Sequence, residues 1–208
     1  MTFAAPLFEP FQHYARSEMG QRWLPEHSVD RIQKLIANHQ ALLRQIDTLP
    51  VCLCHHDAFR RNLLLRDRGD AEAQTIAIDW AMMGYGGVGE EVGVTTAVAL
   101  HWLEVAADHA QKLDRIVFES YVAGLRDAGW QGDVRLARFG YTTTAALVIG
   151  VAMAMISGVY VLSSDDGIRS TESTIGYKLD DILAQWATIH PFLLDLGDEA
   201  VRLAETLG

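Results

Sequence analysis

Apolar residues recur at intervals of three and four through Val29, Ile32, Leu35, Ile36, Leu42, Leu43 and Ile46, with polar positions between them. That period predicts an amphipathic helix, capped at its start by Ser28 and stopped before Pro50. The pattern then changes. Residues 51–54 and 63–65 are short apolar runs of strand type, 66–74 is polar and reads as a turn, and 75–80 is a third strand-like run. From Glu90 onward the helical period returns in four or five segments, with breaks near Asp108, across 129–132, across 163–170 and at Pro191. The pattern predicts a mainly α protein with a small β-hairpin region, an α+β arrangement without internal repeats.

Composition narrows the partners. Half of the 208 residues are apolar, enough to bury one sizeable core. Lys and Arg total 17 against 27 Asp and Glu, a formal charge of −10, which disfavours a grip on nucleic acid phosphates. Cys52 and Cys54, the only two cysteines, are too few for a disulfide framework, and the N-terminus lacks a secretory pattern. A reducing, cytoplasmic setting is expected. Residues 145–162 carry no charge over a length at the lower limit of a membrane span. Gly150, Ser157 and Gly158 interrupt them, Asp165 and Asp166 follow, and no Lys or Arg cluster flanks them, so a buried core helix and no membrane are expected.

The chemistry concentrates where helix gives way to strand. Asp57 is followed five positions later by Asn62, which leads into the apolar run 63–65. A loop of that length can curl back, so that one carboxylate faces an attacking hydroxyl while a carboxamide oxygen reaches a magnesium ion, as in kinase catalytic loops. A second carboxylate, Asp79, ends the strand-like run Ile76-Ala77-Ile78. A hairpin of 63–65 with 75–78 brings it beside Asn62, where the same template needs its main metal ligand. Loop capping and turn chemistry are the plainer role for Asp57 and Asn62.

His55-x-Asp57-x4-Asn62 followed by Ile78-Asp79-Trp80 resembles the aminoglycoside phosphotransferase and choline kinase-like family, and Gly84-Tyr85-Gly86 through Glu91 resembles the glycine-rich stretch that follows there. The similarity spans residues 53–91. It implies a protein-kinase-like C-terminal lobe, with Asp57 as catalytic base or hydroxyl-orienting residue, Asn62 and Asp79 holding Mg2+, and His55 supporting the loop. The implied activity is ATP-dependent transfer of the γ-phosphoryl group to a hydroxyl of a small molecule. His56 stands where the family usually has glycine, and Arg60 and Arg61 fill positions that often carry proline and glycine. Either arginine is a candidate phosphate contact, against an ordinary solvent-facing role.

The resemblance also implies an N-terminal lobe with a phosphate-covering hairpin and a strand lysine. Only 50 residues precede the first strand here, with Lys34 the one lysine among them. Residues 1–27 therefore read as a segment leading from such a lobe, and 28–208 as the helical catalytic and substrate-binding lobe: a fragment, a misplaced start, or a single-lobed relative. A non-catalytic binding or scaffolding module is the alternative function. Glu90 and Glu91, with Asp165, Asp166 and Glu172, are candidates to receive a cationic acceptor, although acidic residues are also common on solvated surfaces.

Two further patterns compete. Gly84 to Gly89 fits G-x-G-x-x-G, but a dinucleotide fold needs alternating strands and helices downstream, and only helices follow. Cys52, Cys54, His55, His56 and Asp57 offer a zinc site, against which stand simple buried thiols.

Overall fold

A computed structural model describes residues 5–69 and 71–207. It is mostly helical with two small antiparallel sheets. Helix α1, Ala5–Ala15, buries Leu7 and Phe11, four residues apart, and a capped turn at Glu18–Gln21 follows, with Ser17 Oγ accepting from the Gly20 N–H at 3.1 Å. Trp23 is buried with them, so this stretch, read from sequence as a lead-in, shares the core of the rest.

Helix α2, Ser28–Ile46, buries Ile32, Leu35, Leu42 and Ile46, the face that the period predicts. Its start differs from expectation. The cap position belongs to His27, at φ 66°, and Ser28 is the first helical residue, buried and making no capping bond. The helix is tied to the last helix by Arg31, whose guanidinium reaches Asp195 at 2.7 Å and Asp198 at 2.6 Å.

Strand β1, Val51–Cys54, leads to a loop and then to β2, Leu63–Arg68, which pairs antiparallel with β3, Ala71–Ala77, in the register Leu63↔Ala77 and Leu65↔Thr75. The polar stretch 66–74, expected as a turn, is mostly strand. The hairpin projects into solvent, so polar side chains there carry no turn signal. The strand-like run 75–80 ends earlier than expected, at Ala77; Asp79 sits at φ 61° and Trp80–Met82 is a 3-10 turn. Strand β4, Gly84–Gly87, pairs antiparallel with β1 from Cys54↔Gly84 to Val51↔Gly87. Three of its four residues are glycine, which leaves almost no side-chain alternation for a sequence pattern to display. An antiparallel strand at this place is not the tight strand-to-helix turn of a dinucleotide fingerprint.

Among the described residues five α-helices follow: α3, Glu90–His101; α4, Ala110–Asp127; α5, Val134–Val161; α6, Asp165–Ile175; and α7, Leu179–Leu207. Pro191 does not break α7. Ile189, His190, Leu193 and Leu194 are buried on either side of it, so packing offsets the lost backbone bond. The expected break across 163–170 is shorter, because Ser164 Oγ accepts from the Gly167 N–H at 3.1 Å and starts α6 at Asp165. Helix α5 widens to π-type turns over Ala145–Met153 and Ser157–Val161. It is the one helix among the described residues long and apolar enough to cross a membrane, and 56% of its most apolar window is buried inside the protein.

Helices α3 and α5 touch backbone to backbone. A Cβ on Gly93 would lie 2.2 Å from the Tyr141 carbonyl, and one on Gly89 2.0 Å from the Ala137 carbonyl. Gly89 also holds φ 90°, which side chains rarely adopt. This close seating fixes the start of α3 under the loop that carries the chemistry.

Candidate active site

The loop between β1 and β2 is organised by its own polar groups. His55 is buried, and its Nε2 donates to the Ile78 carbonyl at 2.7 Å while its Nδ1 accepts from the Asp57 N–H at 3.3 Å. The two bonds place the ring proton on Nε2 and tie the loop to the end of β3. Trp80 lies against the ring at 4.6 Å between centroids. His56 adopts φ 60°, a left-handed conformation that suits glycine better, and its N–H donates to Glu91 Oε1 at 2.6 Å.

A 3-10 turn, Arg60–Asn62, returns the chain toward Asp57. Asn62 is buried, and its Nδ2 donates to Asp57 Oδ2 at 2.7 Å and to the Asp57 carbonyl at 2.8 Å. Donation through Nδ2 leaves Asn62 Oδ1, a hard oxygen, with no hydrogen bond among the described residues. The Ile78 N–H donates to the Asn62 carbonyl at 3.0 Å, extending the β2–β3 ladder by one step and setting Asp79 next to it in the chain. Asp79 is exposed, and among the described residues its carboxylate has no partner. An amide oxygen and a free carboxylate are the donors that a magnesium ion takes, with water filling its other positions. By donor type the residues therefore fit this metal. For nucleotide phosphates the fit is partial, since Lys34, Lys112 and Lys178 all lie outside the strand-rich region.

The two arginines separate. Both are exposed, but the Arg61 guanidinium lies 5.3 Å from the ring centroid of Trp102 and 5.8 Å from that of Phe59, with one nitrogen 3.7 Å from Asp57 Oδ1. Glu90 and Glu91 face the loop: Glu90 Oε1 accepts from the Gly87 N–H at 2.5 Å, and Glu91 Oε1 holds His56. With His56 and Phe59 they line a cavity of about 170 Å3. Asp165 and Asp166 are exposed on α6, and Glu172 accepts from the Leu179 N–H at 2.9 Å.

The zinc reading finds Cys52 and Cys54 on one face with sulfurs 3.7 Å apart, and His56 beside Cys54 over the β4 glycines. Burial, then the adjacent Cys52 thiol and the Glu91 and Glu90 carboxylates, push the Cys54 thiol up to about 12, so it holds its proton at neutral pH. Among the described residues no three His, Cys, Asp or Glu side chains converge as a metal site.

Sequence reasoning missed Glu91 as the acceptor that fixes the loop, Trp80 as the wall behind His55, and Trp102 as the platform for Arg61. The first two adjoin recognisable motifs. Trp102 lies at the far end of α3 and has no local signal.

A family model for the phosphotransferase enzyme family, APH, matches residues 3–129, more than half of the chain. No curated protein matches the chain, and no solved structure does. The match takes in the whole loop, the hairpin, the glycine strand and α3, so the carboxylate, carboxamide and second carboxylate stand inside the matched segment, and the chain belongs to the phosphotransferase enzyme family.

Proposed function

We propose that this chain is the helical, substrate-binding and catalytic lobe, of protein-kinase-like type, of an ATP-dependent small-molecule phosphotransferase. The observation that carries the reading is the Asp57–Asn62 pair, locked at 2.7 Å with Asp79 one residue beyond the backbone bond that joins Ile78 to Asn62. Asp57 orients the acceptor hydroxyl and takes its proton as the oxygen attacks the γ-phosphorus of ATP, whose bond to the bridging oxygen breaks so that ADP leaves. Asn62 Oδ1 and the Asp79 carboxylate would hold magnesium, which would neutralise charge on the phosphates. His55 keeps the loop in register with β3, and Arg61, beside Asp57, balances negative charge during transfer. The free thiols Cys52 and Cys54 accord with a reducing, cytoplasmic setting.

The exposed apolar side chains Leu53, Leu64, Leu65, Trp80, Met82 and Tyr85 surround this loop. They support a seat for a second lobe that covers the nucleotide. A non-catalytic module is the competing reading, favoured by the lack of any lysine in the strand-rich region. Phosphoryl transfer from ATP to a panel of hydroxyl compounds separates the two. The 208 residues alone are expected to bind ATP weakly and to transfer no measurable phosphate. Joined to a lobe with a glycine-rich hairpin and a strand lysine, they should do so in a magnesium-dependent manner. Silence of the joined protein across the panel would favour the module.

A further inference from the structure

A cavity of about 270 Å3 opens between the end of α3, α5 and α6, lined by His101, Trp102, Ser157, Tyr160, Thr171 and Thr174 among others. It adjoins the loop, because Trp102 forms part of its wall and also carries Arg61, which lies 3.7 Å from Asp57 Oδ1. None of its lining side chains is a carboxylate, a lysine or an arginine. Ser157 is 3% exposed, yet among the described residues its hydroxyl has no hydrogen-bond partner. The ring nitrogens of His101, itself 8% exposed, likewise have none, while its face stacks on Trp186 at 4.5 Å. Neither belongs to the fully buried polar atoms that lack a partner, so each opens onto the cavity, where the polar groups of a ligand can take the place of water.

We infer that this cavity receives the acceptor of the proposed phosphotransferase, and that the acceptor is a neutral polyhydroxylated molecule of sugar type, not a cation. The inference rests on the phosphotransferase reading for the role of the pocket, but its chemistry comes from the lining alone. Hydroxyl groups of a sugar satisfy Ser157, Tyr160 and Thr174, the indole of Trp102 offers a flat apolar wall to a ring face, and His101 can donate from one nitrogen and accept at the other. Burial, then the neighbouring His190, hold His101 down at about 4, so it stays uncharged at neutral pH. An ammonium group entering would shed water and meet no anion. Trp102 stands between this cavity and Arg61, whose guanidinium lies 5.3 Å from the indole centroid and 3.7 Å from Asp57 Oδ1, so the cavity and the loop share one wall.

The test uses the nucleotide-free 208-residue chain with N-acetylglucosamine and its cationic counterpart glucosamine as probes, read by saturation-transfer NMR and by quenching of tryptophan fluorescence. The neutral sugar is expected to bind at millimolar concentration and glucosamine about tenfold more weakly, an energy difference of about 1.4 kcal/mol. Ser157→Ala and the mouth-blocking Thr174→Trp should each weaken the neutral sugar about tenfold, with circular dichroism unchanged. Thr174 is exposed at the rim, so its variant tests the site even if Ser157→Ala perturbs folding. Absence of binding by both probes, equal or tighter binding of glucosamine, or insensitivity to Thr174→Trp would overturn the inference. Sugar binding that responds to these variants in a protein that never transfers phosphate would remove the enzyme reading and leave the pocket standing. Phosphorylation of cationic acceptors unaffected by Thr174→Trp would do the reverse.

Discussion

The backbone N–H of His56 donates to the Glu91 carboxylate at 2.6 Å, joining the residue before Asp57 to the first turn of α3 across 35 positions of sequence. His56 is held at φ 60°, a conformation that costs a non-glycine residue about 1–2 kcal/mol. An ionised acceptor gives a stronger bond than a neutral one, so Glu91 offsets that strain and sets the direction in which Asp57 leaves the strand.

Glu91→Gln keeps an acceptor oxygen and Glu91→Ala removes it. The alanine variant is expected to lose about 1.5–3 kcal/mol in urea unfolding and the glutamine variant less. Hydrogen exchange at the His56 amide should accelerate in the alanine variant first. Equal stability and equal exchange in both would show that the bond does not hold the loop.

Asp57→Asn removes the carboxylate with little change of shape. In the active assembly turnover is expected to fall by several orders of magnitude while the melting temperature stays within a few degrees. Asp79→Ala should instead abolish binding of Mn2+ used as a spectroscopic substitute for magnesium, and leave the Asn62 bonds to Asp57 in place. Unaltered Mn2+ binding in Asp79→Ala would take that residue out of the metal site.

His101 and His190 both lie buried beside Trp186 and Trp23, and burial is the main reason that each is held down at about 4. For His190 the hydrogen bond to the Gly150 carbonyl, at 3.1 Å, opposes that shift, and the Arg31 charge adds to it. In the unfolded chain both titrate near 6.5, so below that pH the unfolded state binds more protons than the folded one. Their contribution is therefore fully present above pH 6.5 and lost as pH falls toward 4, on the order of a few kcal/mol for the pair. Urea midpoints measured from pH 8 to pH 4 should fall across this window. His190→Phe should flatten the fall by removing one of the two groups.

Gly93→Ala places a methyl carbon where 2.2 Å separates it from the Tyr141 carbonyl. Backbone cannot yield as a side-chain end does, so α3 must shift away from α5, at a cost of about 1–3 kcal/mol or more. The same change at Gly124, which has open space around it, should leave stability unchanged or raise it. Chemical denaturation of the two variants side by side checks the contrast.

Local chemistry is written in the order of residues. The period of 29–46 is enough for α2, because an amphipathic stripe depends only on spacing. The approach of Asp57 to Asn62 and the hairpin that follows are legible for a similar reason: a five-residue loop and a hairpin are short-range objects, and 63–65 does pair with 75–77, in the register Leu63↔Ala77. Strand β4 was invisible because glycines carry no pattern, and the continuity of α7 through Pro191 depends on neighbours that no window of sequence contains. The roles of Glu91, Trp102 and Ser157 were decided later still, by packing. Glu91 becomes a clamp only because Gly89 and Gly93 let α3 sit against α5, and Ser157 faces a cavity only because α6 closes over the end of that helix. Such contacts form between surfaces distant in sequence, and their energies exist only once the core has brought those surfaces together.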